Sequence, residues 1–279
     1  MRRAIGLLFV AALAFVGGCG PANQPLGGSP RKKIYKSVVS LSPSTTEVLS
    51  TTQQTSILRG KTASDNWPRI MFDKVPVVAS VKPDYEKISG ISPDLILYDK
   101  DLFTNESDIA KIKQLGADTF VLDATTIDSF IKELYALSSL VGGETYVSDY
   151  VDRIYLAKAG AATMTRHPKV AVLMPGLSGD HMIAGQDSFV ADVVRAAGGV
   201  PVGPKSSLYV KLDPEFLVTE NPDFIISVGK GDALLADPRI KSVKAITDKK
   251  VVPVMADVIL RRGARVDLLI TAIYDNIAK

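Results

Sequence analysis

The sequence predicts an α/β protein of two lobes, each built on a mostly parallel sheet with flanking helices, joined by one long helix. Three observations indicate this. Short β-branched runs alternate with helical stretches from Ser37 onward, a proline-free helical stretch covers residues 144–164, and one motif occurs on each side of it. The motif is a glutamate followed seven residues later by Pro-Asp and an apolar run, EKISGISPDLILY from Glu86 and EFLVTENPDFIIS from Glu215.

The repeated motif fits one physical unit. A short helix carries the glutamate in its first turn, where the helix dipole favours a carboxylate. The proline ends the helix, and the apolar run 95–97 or 224–226 enters a buried strand. Either copy alone is ordinary for a loop between a helix and a strand. Two copies at one spacing predict two lobes of related design, each presenting a carboxylate at an equivalent place.

The predicted N-terminal lobe covers residues 36–143. Its strands are predicted at KSVVSL from Lys36, at Leu95–Tyr98 and at TFVLD from Thr119, and its helices at STTEVLST from Ser44, at Ser107–Leu115 and at Ile127–Val141. At the first junction between a strand and a helix, Ser44 or Thr45 is expected to be the N-cap, with Glu47 completing a capping box.

A long helix is predicted to connect the lobes over residues 144–166. The stretch ETYVSDYVDRIYLAKAGAATM has no proline, and Val147, Val151, Ile154 and Ala161 recur at helical spacing. A helix of about 20 residues spans about 30 Å, which is enough to run from one lobe to the other.

The predicted C-terminal lobe covers residues 167–279 and resumes the alternation. Its elements in order are the strand KVAVLM from Lys169, the helix Phe189–Ala197, the second copy of the motif, the strand KKVVPV from Lys249 and the helix Val266–Ala278. The repeated motif therefore falls once in each lobe.

The N-terminus is typical of an export signal. Two arginines precede the apolar stretch Ala4–Val16, which is too short for a stable transmembrane helix, so residues 1–18 are predicted to be a signal peptide. It ends in Val-Gly-Gly-Cys, which resembles the lipobox of bacterial lipoproteins. Cys19 is the only cysteine, so disulfides within the chain are excluded, and it is expected to carry the lipid; a free thiol is the alternative.

The segment 19–35, which includes GPANQPLGGSP, has the composition of a flexible tether. Together with a lipidated cysteine, it predicts an extracytoplasmic protein anchored to a bacterial membrane. Removal of residues 1–18 leaves 31 basic and 30 acidic side chains, so the mature protein is nearly neutral. This balance gives no reason to expect nucleic acid as a partner.

The sequence offers few parts for an enzyme. The segment GLSGD at 176–180 lacks the final glycine of a nucleophile elbow, no GxxxxGK[ST] loop is present, and His167 and His181 are the only histidines. The protein is therefore expected to be a binding protein without a metal site or cofactor of its own. A secreted hydrolase and an adhesive lipoprotein are the alternatives from other functional classes.

Several segments in this order resemble one family: VVSLSPSTTEVL, DNWP at 65–68, both copies of the motif, GQDSFVADVVRAAGGVPV at 185–202 and RRGARVDLLITAI at 261–273. Together they are similar to the substrate-binding proteins of ABC importers for cobalamin, ferric siderophores and haem. The resemblance covers residues 36–279 and implies two α/β lobes that hold the ligand in the cleft between them. SLSPSTTE and a D-x-x-P segment look most like the cobalamin-binding branch. A corrinoid is therefore the expected ligand, with a ferric siderophore or haem as the alternative.

The resemblance also implies the partners. In the cobalamin branch, one glutamate on each lobe docks onto arginines of the permease, and these two positions correspond to Glu86 and Glu215. Two exposed carboxylates on two lobes match the two-fold symmetry of a permease dimer. The expected assembly is thus a monomeric binding protein on an ABC permease dimer with its ATPase subunits.

Thirteen residues are predicted to contact the ligand, from their position in the resemblance and from their own chemistry: Ser42, Pro43, Ser44, Asp65, Asn66, Trp67, Tyr85, Gln186, Asp187, Tyr209, Asp257, Arg262 and Arg265. The first three follow a strand, where open α/β sheets bind ligands. Trp67 is the only tryptophan and offers a flat apolar face to a macrocycle, although a buried loop plug is the alternative.

The remaining predicted contacts also have structural alternatives. Asp187 or Ser188 can cap the helix that follows, and capping alone accounts for them. Arginine at a helix start opposes the helix dipole, which marks Arg262 and Arg265 as exceptions to a local rule. They are expected either to bind ligand carboxylates or amides, or to pair with a nearby acid of the protein.

Overall fold

The computed structural model describes residues 33–69 and 74–279. The predicted signal peptide, Cys19 and most of the predicted tether lie outside these residues. Within the described ranges, no helix is both long enough and apolar enough to cross a membrane.

Five parallel strands form the sheet of the N-terminal lobe: β1 (Val38–Ser40), β2 (Leu58–Thr62), β3 (Val77–Ala79), β4 (Leu95–Asp99) and β5 (Asp118–Leu122). Their order is β3-β2-β1-β4-β5, so β1 is central. The helices are α1 (Pro43–Thr51), α2 (Tyr85–Ile91), α3 (Glu106–Gln114) and α4 (Ile127–Val141). Every residue of β1 and β4 is buried, which explains their continuous apolar sequence.

The sheet of the C-terminal lobe is mixed. Its strands are β6 (Lys169–Met174), β7 (Met182–Ala184), β8 (Val200–Val202), β9 (Tyr209–Lys211), β10 (Phe224–Val228) and β11 (Val251–Val254). The order is β11-β10-β6-β7-β9, with β8 also paired to β6. Strand β7 runs antiparallel to both of its neighbours, β6 and β9, and the other pairs are parallel. The helices are α6 (Phe189–Ala196), α7 (Pro214–Glu220), α8 (Asp232–Leu235), α9 (Lys244–Thr247), α10 (Ala256–Ile259) and α11 (Val266–Ile277).

The long helix α5 (Glu144–Ala161) connects the two lobes and confirms the predicted architecture. Its 18 residues span about 27 Å at the usual rise per residue. Val147, Val151, Ile154 and Ala161, the residues that predicted the helix, are all buried. The helix packs along α11 and also contacts α4 and α1.

One apolar cluster extends through both lobes. It includes Val38 and Leu97 of the first sheet, Ile154 of α5, and Val172 and Ile226 of the second sheet. Each sheet also has one smaller apolar cluster on its outer face. The lobes therefore share a core along α4, α5 and α11 in addition to the chain that connects them.

The two copies of the sequence motif fold alike. Each helix has an aspartate N-cap and a left-handed residue directly after its end: Asp84 and Ser92 bound α2, and Asp213 and Asn221 bound α7. The aspartate of each Pro-Asp pair then caps a neighbouring strand. Asp94 accepts the backbone N–H of Ser37 at 2.9 Å, and Asp223 accepts that of Lys169 at 2.9 Å. This capping gives the Pro-Asp pair a structural role in both lobes.

The predicted cap of α1 was wrong. The N-cap is Ser42, whose Oγ accepts the backbone N–H of Thr45 at 3.1 Å, and Pro43 occupies the first helical position. The helix thus starts earlier than the periodicity indicated. Glu47 forms no capping box, because its carboxylate is held by arginines of the other lobe.

Candidate functional site

A cleft of about 530 Å³ lies between the lobes, a size typical of small-molecule sites. The N-terminal lobe contributes residues at the carboxyl ends of β1 to β4: Leu41, Pro43, Ser44, Thr62, Ser64, Ser80, Asp99, Asp101 and Leu102. The C-terminal lobe contributes three short segments: 188–190, 207–209 and 259–262. The cleft therefore lies where the topology of an open α/β sheet places ligands.

A network of hydroxyl groups holds the loop between β1 and α1. The hydroxyl of Thr46 donates to Asp65 Oδ2 at 3.0 Å, and the same carboxylate accepts the backbone N–H of Thr62 at 2.9 Å. Burial raises the pKa of Asp65, and the donated hydrogen bonds act against this rise. Ser42 is fully buried, whereas Pro43 and Ser44 line the cleft. Ser42 and Asp65 thus support the loop from behind the cleft wall.

Glu47 connects the two lobes. It is 1 % exposed and accepts hydrogen bonds from Arg265 Nη2 at 2.6 Å and from Arg261 Nη1 at 3.0 Å. Gly263 allows this approach, because a Cβ at that position would lie only 2.3 Å from Glu47 Oε2. The backbone of the 261–265 segment is held as well, since Tyr150 Oη donates to the carbonyl of Gly263 at 2.7 Å.

Asp257 and Asn66 extend this connection. Arg265 Nη1 donates to Asp257 Oδ2 at 3.1 Å, Arg261 Nη1 donates to Asn66 Oδ1 at 2.7 Å, and Asn66 Nδ2 donates to Asp257 Oδ2 at 3.3 Å. Burial acts to raise the pKa of Asp257, but Arg265 and Arg261 lower it overall. Trp67 lies over this network, with its ring 5.4 Å from the guanidinium of Arg265.

Arg262 is buried against the acids that follow β4. Its guanidinium donates to Asp99 Oδ1 and to the carbonyl of Ala124, and it lies 3.0 Å from Asp101 Oδ2. Burial raises the pKa of Asp99, while the charge of Arg262 acts in the opposite direction. Among the described residues, the four charged ones that line the cleft all belong to ion pairs within the protein: Asp99, Asp101, Arg261 and Arg262.

The wall from the C-terminal lobe is mostly apolar and hydroxyl-bearing. Ser188 is buried and caps α6, and Phe189, Leu208 and Tyr209 line the cleft. The hydroxyl of Tyr209 is buried and has no hydrogen-bond partner among the described residues, and burial raises the pKa of this phenol. The ring of Tyr209 thus faces the cleft while its hydroxyl does not reach solvent.

The structure brings four of the thirteen predicted contacts to the cleft wall: Pro43, Ser44, Tyr209 and Arg262. Four others support residues of that wall or the ion-pair network behind it: Ser42, Asp65, Asp257 and Arg265. Asn66 and Trp67 contact this network, and Tyr85 packs in the outer core of the N-terminal lobe with its hydroxyl buried. Gln186 and Asp187 lie before α6, outside the residues that line the cleft.

Sequence reasoning missed Asp99, Asp101 and Ser80. Their position in the sheet could have indicated them, because each lies at or just after the carboxyl end of a parallel strand, where open α/β sheets bind ligands. The partners of the arginines had no such signal. Glu47 and Arg265 are 218 positions apart, and no spacing rule connects them.

Glu86 and Glu215 are both exposed on the first turns of α2 and α7. Neither carboxylate forms a hydrogen bond or ion pair with any residue in the described part of the chain. The backbone N–H of Glu215 is satisfied by its N-cap, Asp213. Two unengaged carboxylates therefore occupy equivalent positions of the two lobes.

A family model and a sequence relative both match this chain over most of its length. The family model described as periplasmic binding protein matches residues 38–257. An uncharacterized ABC transporter substrate-binding lipoprotein of Bacillus subtilis, YvrC, is 23% identical over 89% of this chain and 83% of its own length. The chain therefore resembles this relative in sequence over most of the length of both proteins.

Two solved structures have a similar fold. The periplasmic vitamin B12 binding protein BtuF of Vibrio cholerae has a TM-score of 0.75 at 19% identity, over 87% of this chain and 96% of its own. IsdE of Staphylococcus aureus, complexed with heme, has a TM-score of 0.74 at 21% identity, over 87% of this chain and 99% of its own. At these identities the likeness concerns the fold alone.

Proposed function

The chain belongs to the periplasmic binding protein family, and from this premise we propose that it captures cobalamin or a related corrinoid in the inter-lobe cleft. It is a substrate-binding protein of an ABC transporter, and members of this family are binding components of transporters rather than enzymes. Family membership does not specify which ligand the cleft binds. The ligand is delivered to a permease dimer that works with ATPase subunits.

The observation that carries the ligand assignment is the state of the charges in the cleft. Arg261 and Arg262 are both engaged by protein carboxylates, so the described residues of the cleft offer no free cation to an anionic ligand. Breaking such a buried pair to bind a carboxylate would cost several kcal/mol. The walls instead offer apolar surface and serine and threonine hydroxyls. These groups suit the flat macrocycle and the uncharged amides of a corrinoid.

The same observation ranks the alternatives. Haem carries two propionates and a ferric catecholate is a multiple anion, so both would need cationic partners in the cleft. A ferric hydroxamate is uncharged and fits the charge argument as well as a corrinoid does. The resemblance of SLSPSTTE and the D-x-x-P segment to the cobalamin branch favours the corrinoid over the hydroxamate.

Calorimetric titration of the protein starting after Cys19 tests the ligand. We expect cyanocobalamin to bind with micromolar or tighter affinity, and haemin and a ferric hydroxamate siderophore to bind at least about tenfold more weakly. Tighter binding of haemin would overturn the charge argument. Tighter binding of the hydroxamate would retain that argument and discard the corrinoid.

The docking role of Glu86 and Glu215 is tested by reversing both charges. The double variant E86K/E215K is expected to lose transport while its affinity for cobalamin is unchanged, because both residues are exposed and outside the cleft. The matched control is E106K/E144K, since Glu106 and Glu144 are also exposed glutamates in first turns. Normal transport by E86K/E215K would remove the docking assignment.

The proposed location is extracytoplasmic, in the periplasm or at the cell surface, with Cys19 as the lipid anchor to a bacterial membrane and the protein monomeric. The variant C19S is expected to be released from membranes after export, and incorporation of labelled fatty acid into the wild type is expected to be lost in it. Retention of C19S in the membrane fraction would contradict the anchor. Size-exclusion chromatography with light scattering of the part after Cys19 measures the oligomeric state.

A further inference from the structure

A groove of about 710 Å³ lies beside Glu215 on the surface of the C-terminal lobe. It is lined by Asp213, Pro214, Glu215, Val218, Thr219 and Arg239, and we call it the α7 groove. Glu215, Val218 and Thr219 are spaced three and four positions apart on α7, so they share one face of the helix. Arg239 forms the opposite wall. The groove thus combines a carboxylate that has no partner among the described residues, an exposed apolar side chain and a guanidinium.

Arg239 is held rigidly at this surface. Its Nε and Nη2 donate to both oxygens of Asp237, at 3.0 and 2.7 Å, and its backbone N–H donates to Asp237 Oδ1 at 2.9 Å. Asp237 is 7 % exposed, and Nε2 of the buried His181 lies 3.2 Å from its Oδ2. The guanidinium is therefore fixed from behind, yet the Arg239 side chain remains about half exposed toward the groove.

Arg239 also fixes a neighbouring loop. Its Nη2 donates to the carbonyl of Gly179 at 2.6 Å, and Lys211 Nζ lies 3.8 Å from Asp180 of the same loop. At the tip of this loop the side chain of Leu177 is fully exposed. An exposed leucine therefore lies two positions from the carbonyl that Arg239 holds.

The corresponding face of the N-terminal lobe differs. The positions of α2 that match Val218 and Thr219 are Ser89 and Gly90, which offer no apolar side chain beside Glu86. The two copies of the motif share the glutamate and diverge at the positions next to it. The asymmetry indicates that the C-terminal lobe makes a contact that the N-terminal lobe does not.

We propose that the α7 groove is a second recognition element for the permease, receiving a segment that presents a basic side chain to Glu215, an apolar side chain to Val218 and an acceptor to Arg239. This inference rests on the proposed function. Two features support it: the groove is continuous with the docking glutamate, and its carboxylate and guanidinium are complementary in charge to such a segment. The segment belongs to the extracytoplasmic surface of the permease. The contact with the C-terminal lobe is therefore stronger than the contact with the N-terminal lobe.

The test measures binding of the protein to its cognate permease complex in lipid nanodiscs. We expect V218E and R239E each to weaken this binding at least about tenfold, with unchanged affinity for the transported ligand. R239E could destabilise the fold, because Arg239 binds Asp237. V218E tests the groove without this complication, since it changes an exposed helix position and is not expected to unfold the protein. The matched control is K241E, the same charge reversal at an exposed residue two positions from Arg239 and outside the groove.

The outcomes separate this inference from the docking assignment. Weakened binding by V218E and R239E, with K241E unchanged, supports the groove. If E86K/E215K abolishes binding while V218E and R239E bind normally, the α7 groove is excluded and docking through the glutamates stands. If E86K/E215K also binds normally, the docking assignment itself fails.

Discussion

Glu47 takes part in the ion pairs that both Arg261 and Arg265 form between the lobes. It is 1 % exposed, and two arginines from near the other end of the chain donate to it. A buried ion pair adds little net stability compared with an apolar pair, but removing one partner leaves the other charged and unpaired. Without Glu47, the buried guanidinium of Arg265 would keep only Asp257 as a charged partner, and Asp257 is more exposed than Glu47.

We expect E47Q to lower the free energy of unfolding by about 1–3 kcal/mol at pH 7, because an amide does not neutralise the buried arginine and only Asp257 remains as its charged partner. Urea denaturation of the wild type and the variant measures the difference. The control is E86Q, an exposed glutamate without a partner in the described structure, which is expected to change stability by less than about 0.5 kcal/mol. Equal effects of the two substitutions would show that the ion pairs between the lobes do not stabilise the fold.

Asp237 gives a prediction for pH. The hydrogen bonds from Arg239 hold the pKa of this carboxyl at about 2, below the 3.8 of an unperturbed aspartate. A lowered folded-state pKa stabilises the protein above pH 4, and the contribution is lost as the pH falls from 4 to 2. D237N is therefore expected to be about 2 kcal/mol less stable than the wild type at pH 7 and to approach it near pH 2.

Urea unfolding of both proteins at several pH values measures this convergence. D187N, at an exposed aspartate before α6, is the control and should differ little from the wild type at any pH. A difference between D237N and the wild type that stays constant from pH 7 to pH 2 would contradict the proposed role of the ionised carboxylate.

At the scale of elements, the Pro-Asp pairs show what a repeated motif can reveal. The sequence predicted a helix, a stop and a strand in both lobes, and the structure has all three at both places. The reason for the aspartate was not visible from spacing. Asp94 accepts the backbone N–H groups of Lys36 and Ser37, and Asp223 accepts that of Lys169, so each fixes the start of a parallel neighbour.

D94A is expected to destabilise the protein by about 1–3 kcal/mol, because two backbone donors at the start of β1 lose a charged acceptor. Hydrogen exchange gives the local readout, since the amides of Lys36 and Ser37 should lose protection first. E215A is the control, as it removes an exposed carboxylate from the other copy of the motif. Unchanged exchange at Ser37 in D94A would rule out the capping role.

Other elements could not be predicted because their signals are too short. The strands β7, β8 and β9 have three residues each, too few to show an alternation of period two, and they lie among glycines and prolines. By contrast, α4 was predicted with its observed bounds, since its 15 residues repeat the apolar face several times. Much of the wall from the C-terminal lobe follows such short elements, which is why sequence reasoning found only part of the cleft.

At the scale of the whole molecule, the two lobes are coupled by a shared core. Residues of both sheets belong to one apolar cluster around α4, α5 and α11, and the arginines of the 261–265 segment reach into the N-terminal lobe. Protein interiors have a packing density similar to that of organic crystals, so movement of one lobe relative to the other would disturb this shared core. Ligand binding is therefore expected to change the radius of gyration in solution scattering by less than about 1 Å.

The shared core also predicts that the lobes unfold together. Ile154 of α5 is fully buried in that core, so I154A should lower the free energy of unfolding by about 2–5 kcal/mol. The effect should be equal in both lobes, because neither keeps its core when the helix loosens. Fluorescence of Trp67 reports on the N-terminal lobe and hydrogen exchange of β10 on the C-terminal lobe. L156A, at an exposed residue of the same helix, is the control, and separate midpoints for the two probes in I154A would show that the lobes are independent.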